Sequence, residues 1–517
     1  MATILFQAAG AALGSVLGPI GAVLGRAAGG LAGAAVDRAL ISGTSTVTGT
    51  RLSTARVPGA DEGTPIARVY GTARIAGTLI WATRFEEEVT TERQGGKATS
   101  GTRVESFNYY ANLAVGLCEG EIGCVRRVWA DGRELDLTAI EMRVYRGTQS
   151  QMPDPLIEAK QGAGKAPAYR GLAYVVFERL PIDEFGNRIP LLQFEVVRPV
   201  GALERQVRAV TLIPGATEYG YATVAVSDND GSGAARILNR NTLTAATDWQ
   251  ASLDELQAVC PNLQRVALVV SWFGTDLRAG QCRIVPGVEV SARAGLSMSW
   301  QVAGISREGA HLVSESGGGP AFGGTPADES VRQAIVDLKA RGLQVYLYPF
   351  VMMDVPAGNG LPDPYGGAQQ AAYPWRGRIT CHPAPGVSGS PDKTSAARLQ
   401  LESFCNGPEG YRRMLLHYAG LAQQAGGIDG MILASELVGL TRVRGEAGRF
   451  PFVEQLVSLA GEVRAVLGTG TSSPMRPTGA NISVITRQTD RAMCIFRWMR
   501  SGLPVRSTRS ASTITCH

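Results

Sequence analysis

The sequence predicts a multidomain protein: β-rich domain structure first, then part of a (β/α)8, TIM-barrel-like domain. Three observations carry that expectation. Residues 45–200 hold short apolar and β-branched runs bounded by turn residues, the mark of strands. Residues 246–470 alternate strand-like runs with segments of helical period, which predicts a parallel sheet. The 517 residues are 44% hydrophobic and 18% charged, enough to bury several cores and too apolar for a disordered chain.

Residues 1–44 form a Gly/Ala-rich segment. Gly10, Gly14 and Gly18 recur every four residues, as do Gly21, Gly25, Gly29 and Gly33, so each set lies along one helical stripe. Small residues at this spacing let helices approach closely. A packed helix within an assembly and a membrane contact both fit, although Pro19 interrupts the run. No basic stretch precedes the apolar run, which argues against a secretory signal peptide.

Within 45–200, strands are expected at Phe107–Gly116, Val125–Ala130, Tyr169–Phe177 and Leu191–Val197, with an Asp131-Gly132 turn after the second. The polar stretch from Glu86 to Thr102 reads as a hairpin tip. Cys118 and Cys124 are separated by five residues and have no His or Cys pair nearby at metal-finger spacing, so buried thiols are expected. Residues 201–245 read as a connector. Its Asp228-Asn229-Asp230-Gly231 cluster has no Glu at the spacing a calcium loop needs, and a plain turn is expected.

In 246–470, helices are expected at Asp248–Cys260, Ser330–Ala340, Tyr411–Ala425 and Phe452–Leu467, and strands at Gln264–Trp272, Val345–Met352 and Met431–Ala434. In a barrel of this rhythm, chemistry sits at the C-terminal strand ends. The last of these strands leads to Ser435-Glu436, so Glu436 is the candidate general acid/base. Trp272 and Tyr348 are candidate sugar platforms, with Asp354 and His382 as further cleft residues. Each also has a structural reading: Glu436 paired with an Arg such as Arg442, Asp354 in a loop hydrogen bond or cap, and the aromatic rings in ordinary packing. No metal-ligand cluster, phosphate loop or nucleophile elbow is present in the sequence, and no cofactor is implied.

Three blocks, "PIARVYGTARIAGTLIW", "FNYYANLAVGLCEGEIGCVRRVWADGREL" and "AYRGLAYVVFERLPIDEFGNRIPLLQFEV", resemble the central tail-hub (tip attachment, host specificity) proteins of long-tailed phages and gene transfer agents. "LQVYLYPFVMMDVP", "YPWRGRITCHPAPG" and "GIDGMILASELVGLT" resemble the glycosidase-like TIM-barrel domain of the gene transfer agent hub protein. The resemblance implies a baseplate hub and virion component, assembled with other tail proteins as a homotrimer. Its barrel would bind or cleave cell-surface polysaccharide or peptidoglycan, and the chain would be made in the bacterial cytoplasm. A working hydrolase with Glu436 as acid/base and a non-catalytic sugar-binding barrel remain open beside it.

A retaining glycosidase needs a second carboxylate about 5–5.5 Å from the first, and no residue of this chain is assigned that role. Near Thr471 the composition changes. Residues 471–517 carry seven Arg against one acid, Asp490, and so account for more than the whole net charge of +5. The nearly neutral remainder gives no reason to expect specific nucleic-acid binding. Codons permitted for Pro474–Ile485, Ile495–Gly502 and Ala511–His517 allow, in one shifted frame, strings resembling the family's continuation. The expectation is therefore that a frameshift truncates the barrel at about half, leaving 471–517 as out-of-frame translation that packs poorly.

Overall fold

The computed structural model describes residues 65–94, 102–214, 218–229 and 235–468, with a few isolated positions and three short strands outside these ranges. The glycine-stripe segment, residues 95–101, Asp230–Gly233 and most of 471–517 lie outside the described residues; of the stretch read as a hairpin tip from Glu86 to Thr102, Glu86–Gln94 is instead a paired strand. The chain forms two compact units: Met1–Val69 with Ala73–Val196, and Tyr70–Thr72 with Val197–His517.

The first unit is built from two sheets. Strands β1 (Gly71–Ala76), β2 (Thr78–Ala82), β3 (Glu86–Gln94), β4 (Thr102–Glu119), β5 (Cys124–Ala130), β6 (Arg133–Glu134) and β7 (Glu141–Arg146) precede a short helix α1 (Pro155–Gln161). Strands β8 (Leu172–Pro181) and β9 (Leu192–Arg198) follow it. In one sheet β4 pairs antiparallel with β2, β3 and β8, and β8 with β7; the other runs β1-β9-β5-β6. Alternate residues of β4, Leu113, Val115 and Leu117, join Phe177 of β8, Val128 of β5 and Phe194 of β9 in one core. Burying each such side chain stabilises the fold by about 1.5–3 kcal/mol.

The sheets meet closely at Gly77, where an added Cβ would lie 2.1 Å from Val115 Cγ1. The Asp131-Gly132 turn has positive φ at both residues (50° and 84°), the primed geometry that matches hairpin twist. Asp154 is buried and caps α1 through the Leu156 and Ile157 amides, while Arg143 Nε (2.8 Å) and Tyr145 Oη (2.8 Å) donate to its carboxylate. Burial raises its pKa, but these donors outweigh that and hold the carboxyl below its ordinary value.

The β3–β4 ribbon pairs without a break from Glu86↔Tyr110 to Gln94↔Thr102. Its root is clamped. Tyr109 Oη donates to Glu87 (2.9 Å), Asn112 Nδ2 to Glu86 (2.7 Å), and Arg179 bridges Glu86 (3.0 Å) and Glu88 (2.6 Å).

The second unit alternates strand and helix. Four strands, β10 (Ala209–Leu212), β11 (Arg265–Gly274), β12 (Gln344–Met353) and β13 (Gly430–Ile432), are parallel and neighbour one another in sequence order. Between them lie α2 (Asp248–Val259), α3 (Asp328–Ala340), α4 (Ser395–Asn406) and α5 (Tyr411–Gln424). Helices α6 (Val438–Arg442) and α7 (Pro451–Leu467) follow β13. Thr247 starts α2 by accepting from the Gln250 amide, an N-cap. Helices α5 and α7 bury Met414, Leu415 and Tyr418 and Leu456, Leu459 and Val463 in the core shared with the strands.

Two features differ from the sequence reading. Residues 201–245 are more than a connector, because Ala209–Leu212 is the first parallel strand of the sheet. It is four residues long at an edge, too short for a periodic signal. Beyond β13 the sheet adds β14 (Ser483–Arg487) and β15 (Met493–Ile495), both antiparallel, where a continuing barrel would bring another parallel strand. Among the described residues no helix is long and apolar enough to cross a membrane, and no His/Cys/Asp/Glu group could hold a metal ion.

Candidate functional site

The site lies where β13 ends. After Ile432 the chain passes through the buried Leu433, Ala434 and Ser435 and then turns at Glu436, whose φ is +60°. A non-glycine residue in left-handed backbone costs of order 1 kcal/mol or more, and such strain gathers at functional positions. The turn carries the carboxylate clear of the sheet, leaving it about one-third exposed at 31%.

Two residues of the preceding loop hold this carboxylate. Trp375 Nε1 donates to Glu436 Oε2 at 2.7 Å, and Arg376 Nη2 forms an ion pair with the same oxygen at 2.8 Å. Arg376 is buried. Its guanidinium carbon lies 3.3 Å from the centroid of the Phe350 ring, and its Nε donates to the Ser435 carbonyl. Burial pulls the Arg376 pKa below its ordinary value, opposed by the Glu436 and Tyr348 oxygens. Tyr348 and Phe350, two apart on β12, project to one face. The Tyr348 hydroxyl meets Ser435 Oγ at 2.5 Å.

Gly439 fastens α6 to the same loop, since an added Cβ there would sit 2.3 Å from the Ile379 carbonyl oxygen. Strand end, loop and helix start are thus held as one unit around Glu436.

The other sequence candidates fall elsewhere. Trp272 is fully buried and its Nε1 donates to Tyr418 Oη of α5 at 3.0 Å, so its ring is packed under a helix rather than presented as a platform. Asp354 is buried at the end of β12. It accepts from His311 Nε2 (2.6 Å), the Ser314 amide (3.0 Å) and Ser314 Oγ (2.5 Å). Burial raises its pKa, but these donors prevail and lower it below the ordinary carboxylate value. His382 is half-buried, its amide donating to Gln400 Oε1 and its carbonyl accepting from Gln400 Nε2. The Arg that pairs with Glu436 is Arg376, not Arg442.

Sequence reasoning missed Trp375 and Arg376. They stand within "YPWRGRITCHPAPG", where a Trp next to an Arg was the only signal, and nothing in the sequence links that pair to Glu436.

Residues 409–475, which span Glu436, match the family described as GTA (gene transfer agent) TIM-barrel-like domain. Among solved structures, a chain from the virion of a native gene transfer agent particle is 44% identical over 37% of this chain and 44% of its own, with a TM-score of 0.25. A GH113 β-1,4-mannanase complex is 16% identical over 41% of this chain and 43% of its own, with a TM-score of 0.21. The chain thus spans less than half the length of each. A search of curated proteins finds no match.

Proposed function

We propose that the chain is a tail-hub component of a gene-transfer-agent particle whose α/β unit binds a cell-envelope glycan at Glu436. The observation that carries this reading is the Trp375–Glu436–Arg376 constellation at a parallel strand end, whose carboxylate, Glu436, lies in the segment matching the gene transfer agent barrel family. An aromatic ring beside a charged pair is what sugar recognition uses: an apolar face for C–H groups and hydrogen-bonding groups for hydroxyls.

Binding is favoured over turnover. Hydrolysis needs two carboxylates, about 5–5.5 Å apart for retention or 6.5–9.5 Å for inversion. No residue of the chain is assigned as that second carboxylate, and the groups that hold Glu436, an indole N–H and a guanidinium, fix it in place. The test is incubation of the full chain and of Glu436→Gln with purified peptidoglycan and capsular polysaccharide, scoring co-sedimentation and released reducing ends. Retention of wild type on a glycan, loss of it in the variant and no released ends is the expected result. Released ends that disappear in Glu436→Gln would establish the hydrolase reading instead.

The β-rich unit supplies the hub in this proposal, as a homotrimer with other tail proteins, and the 1–44 segment supplies membrane contact. Out-of-frame translation of 471–517 is supported by its composition and by the antiparallel partner that β13 receives from it. Resequencing the gene from the Gly468 codon onward tests it, and a confirmed frame through Pro474 and beyond overturns it.

A further inference from the structure

Trp375 is half exposed, at 49%, yet it is held at three points. Its Nε1 is taken up by Glu436 at 2.7 Å. Its neighbour Arg376 is anchored on Phe350 and the Ser435 carbonyl. Its six-membered ring lies on Gly377: a Cβ built there would stand 2.4 Å from both Cη2 and Cζ3 and 2.6 Å from Cε3. Near-equal distances to three contiguous ring atoms arise only when the glycine approaches the face of the ring. One face of the indole is therefore backed by Gly377, which leaves the opposite face as the one a ligand would use.

We infer that Trp375, backed by Gly377, is a stacking platform for one pyranose ring of a glycan, with Glu436 receiving that sugar's hydroxyls. This rests on the glycan reading above and adds the residue that would select the ligand. A pyranose with mostly equatorial substituents presents a patch of axial C–H groups that fits an indole face. A ring already fixed by its N–H and its backing loses little freedom on binding, so the contact is preorganised. The carboxylate at the ring's nitrogen edge is one-third exposed, within reach of hydroxyls on a sugar lying over that face.

The experiment is calorimetric titration of the full chain with cellohexaose, mannohexaose and chitohexaose, with tryptophan fluorescence followed in parallel. Wild type is expected to bind at least one of them with a change in indole emission. Trp375→Ala is expected to weaken that binding at least tenfold, while Trp375→Phe, which keeps an aromatic face, stays within about fivefold of wild type. Gly377→Ala retains both the indole and the carboxylate but drives a methyl group into the ring face, and it too is expected to lose at least tenfold. The melting temperature of each variant separates a lost platform from a lost fold. Wild-type affinity in both Trp375→Ala and Gly377→Ala would overturn the platform while leaving the glycan reading standing. Absence of binding by wild type to all three sugars and to peptidoglycan would overturn both.

Discussion

Two neighbouring strands of the α/β unit each end in a carboxylate, and the two ends are built differently. At the end of β12, Asp354 is buried and its oxygens are filled by His311 and Ser314. At the end of β13, Glu436 is partly exposed, sits on strained backbone and is held by an exposed indole and a buried guanidinium. A position just past an apolar parallel strand therefore does not define a site. What separates the two is whether the surroundings close over the carboxylate or hold it toward solvent.

The contrast can be broken most directly at Asp354. Asp354→Ala leaves His311 and Ser314 without their acceptor and is expected to cost about 3 kcal/mol, read from the urea midpoint. Because the folded carboxyl titrates below its unfolded value of about 3.9, its stabilisation is present above about pH 4. It is lost as pH falls through the folded pKa. Wild type should lose urea resistance on that acid side, and the variant should lose less.

Gly439→Ala tests how tightly α6 is seated against the Trp375 loop, and its overpacking is expected to cost about 2 kcal/mol. A neutral result would mean that the loop yields. Tyr348→Phe removes the hydroxyl that meets Ser435 and should cost about 1 kcal/mol. The smallest stability effect belongs to Glu436→Gln, which keeps an acceptor for Trp375. Its expected change is below about 1 kcal/mol in thermal unfolding, because the buried Arg376 keeps the Ser435 carbonyl and the Phe350 ring and the carboxylate itself is partly exposed. A loss as large as that of Asp354→Ala would erase the distinction between the two strand ends.

Much of the α/β unit was legible because its central strands are unbroken apolar runs: Gln264–Trp272 was expected and Arg265–Gly274 is found. Ala209–Leu212 was hidden by its length. Helix α4 went unread although Ala397, Leu401, Phe404 and Cys405 mark its buried face. The misreading of Trp272 has a parity explanation. Val266, Leu268, Val270 and Trp272 alternate onto one face of β11, and Tyr418 of α5 packs there. Register pairs Val269 with Tyr348 and Ser271 with Phe350, which places those two aromatic rings on the opposite face, toward the site. Glu436 was legible from its strand. Trp375 was not, because its contact spans 61 residues and depends on how two loops meet above the sheet.

The ribbon of the first unit has a mechanical consequence. Its strands pair over nine residues from Glu86 to Gln94, and at roughly 3.3 Å per residue that is a beam of about 30 Å. Its root is fixed by Arg179, Tyr109 and Asn112, and one of its two strands continues as the middle of the sandwich, through Leu113, Val115 and Leu117. A sideways force near the far end therefore arrives at the root as torque, multiplied by the length of the beam. It is resisted by the hydrogen-bonded ladder between β4 and β8 rather than by a loop.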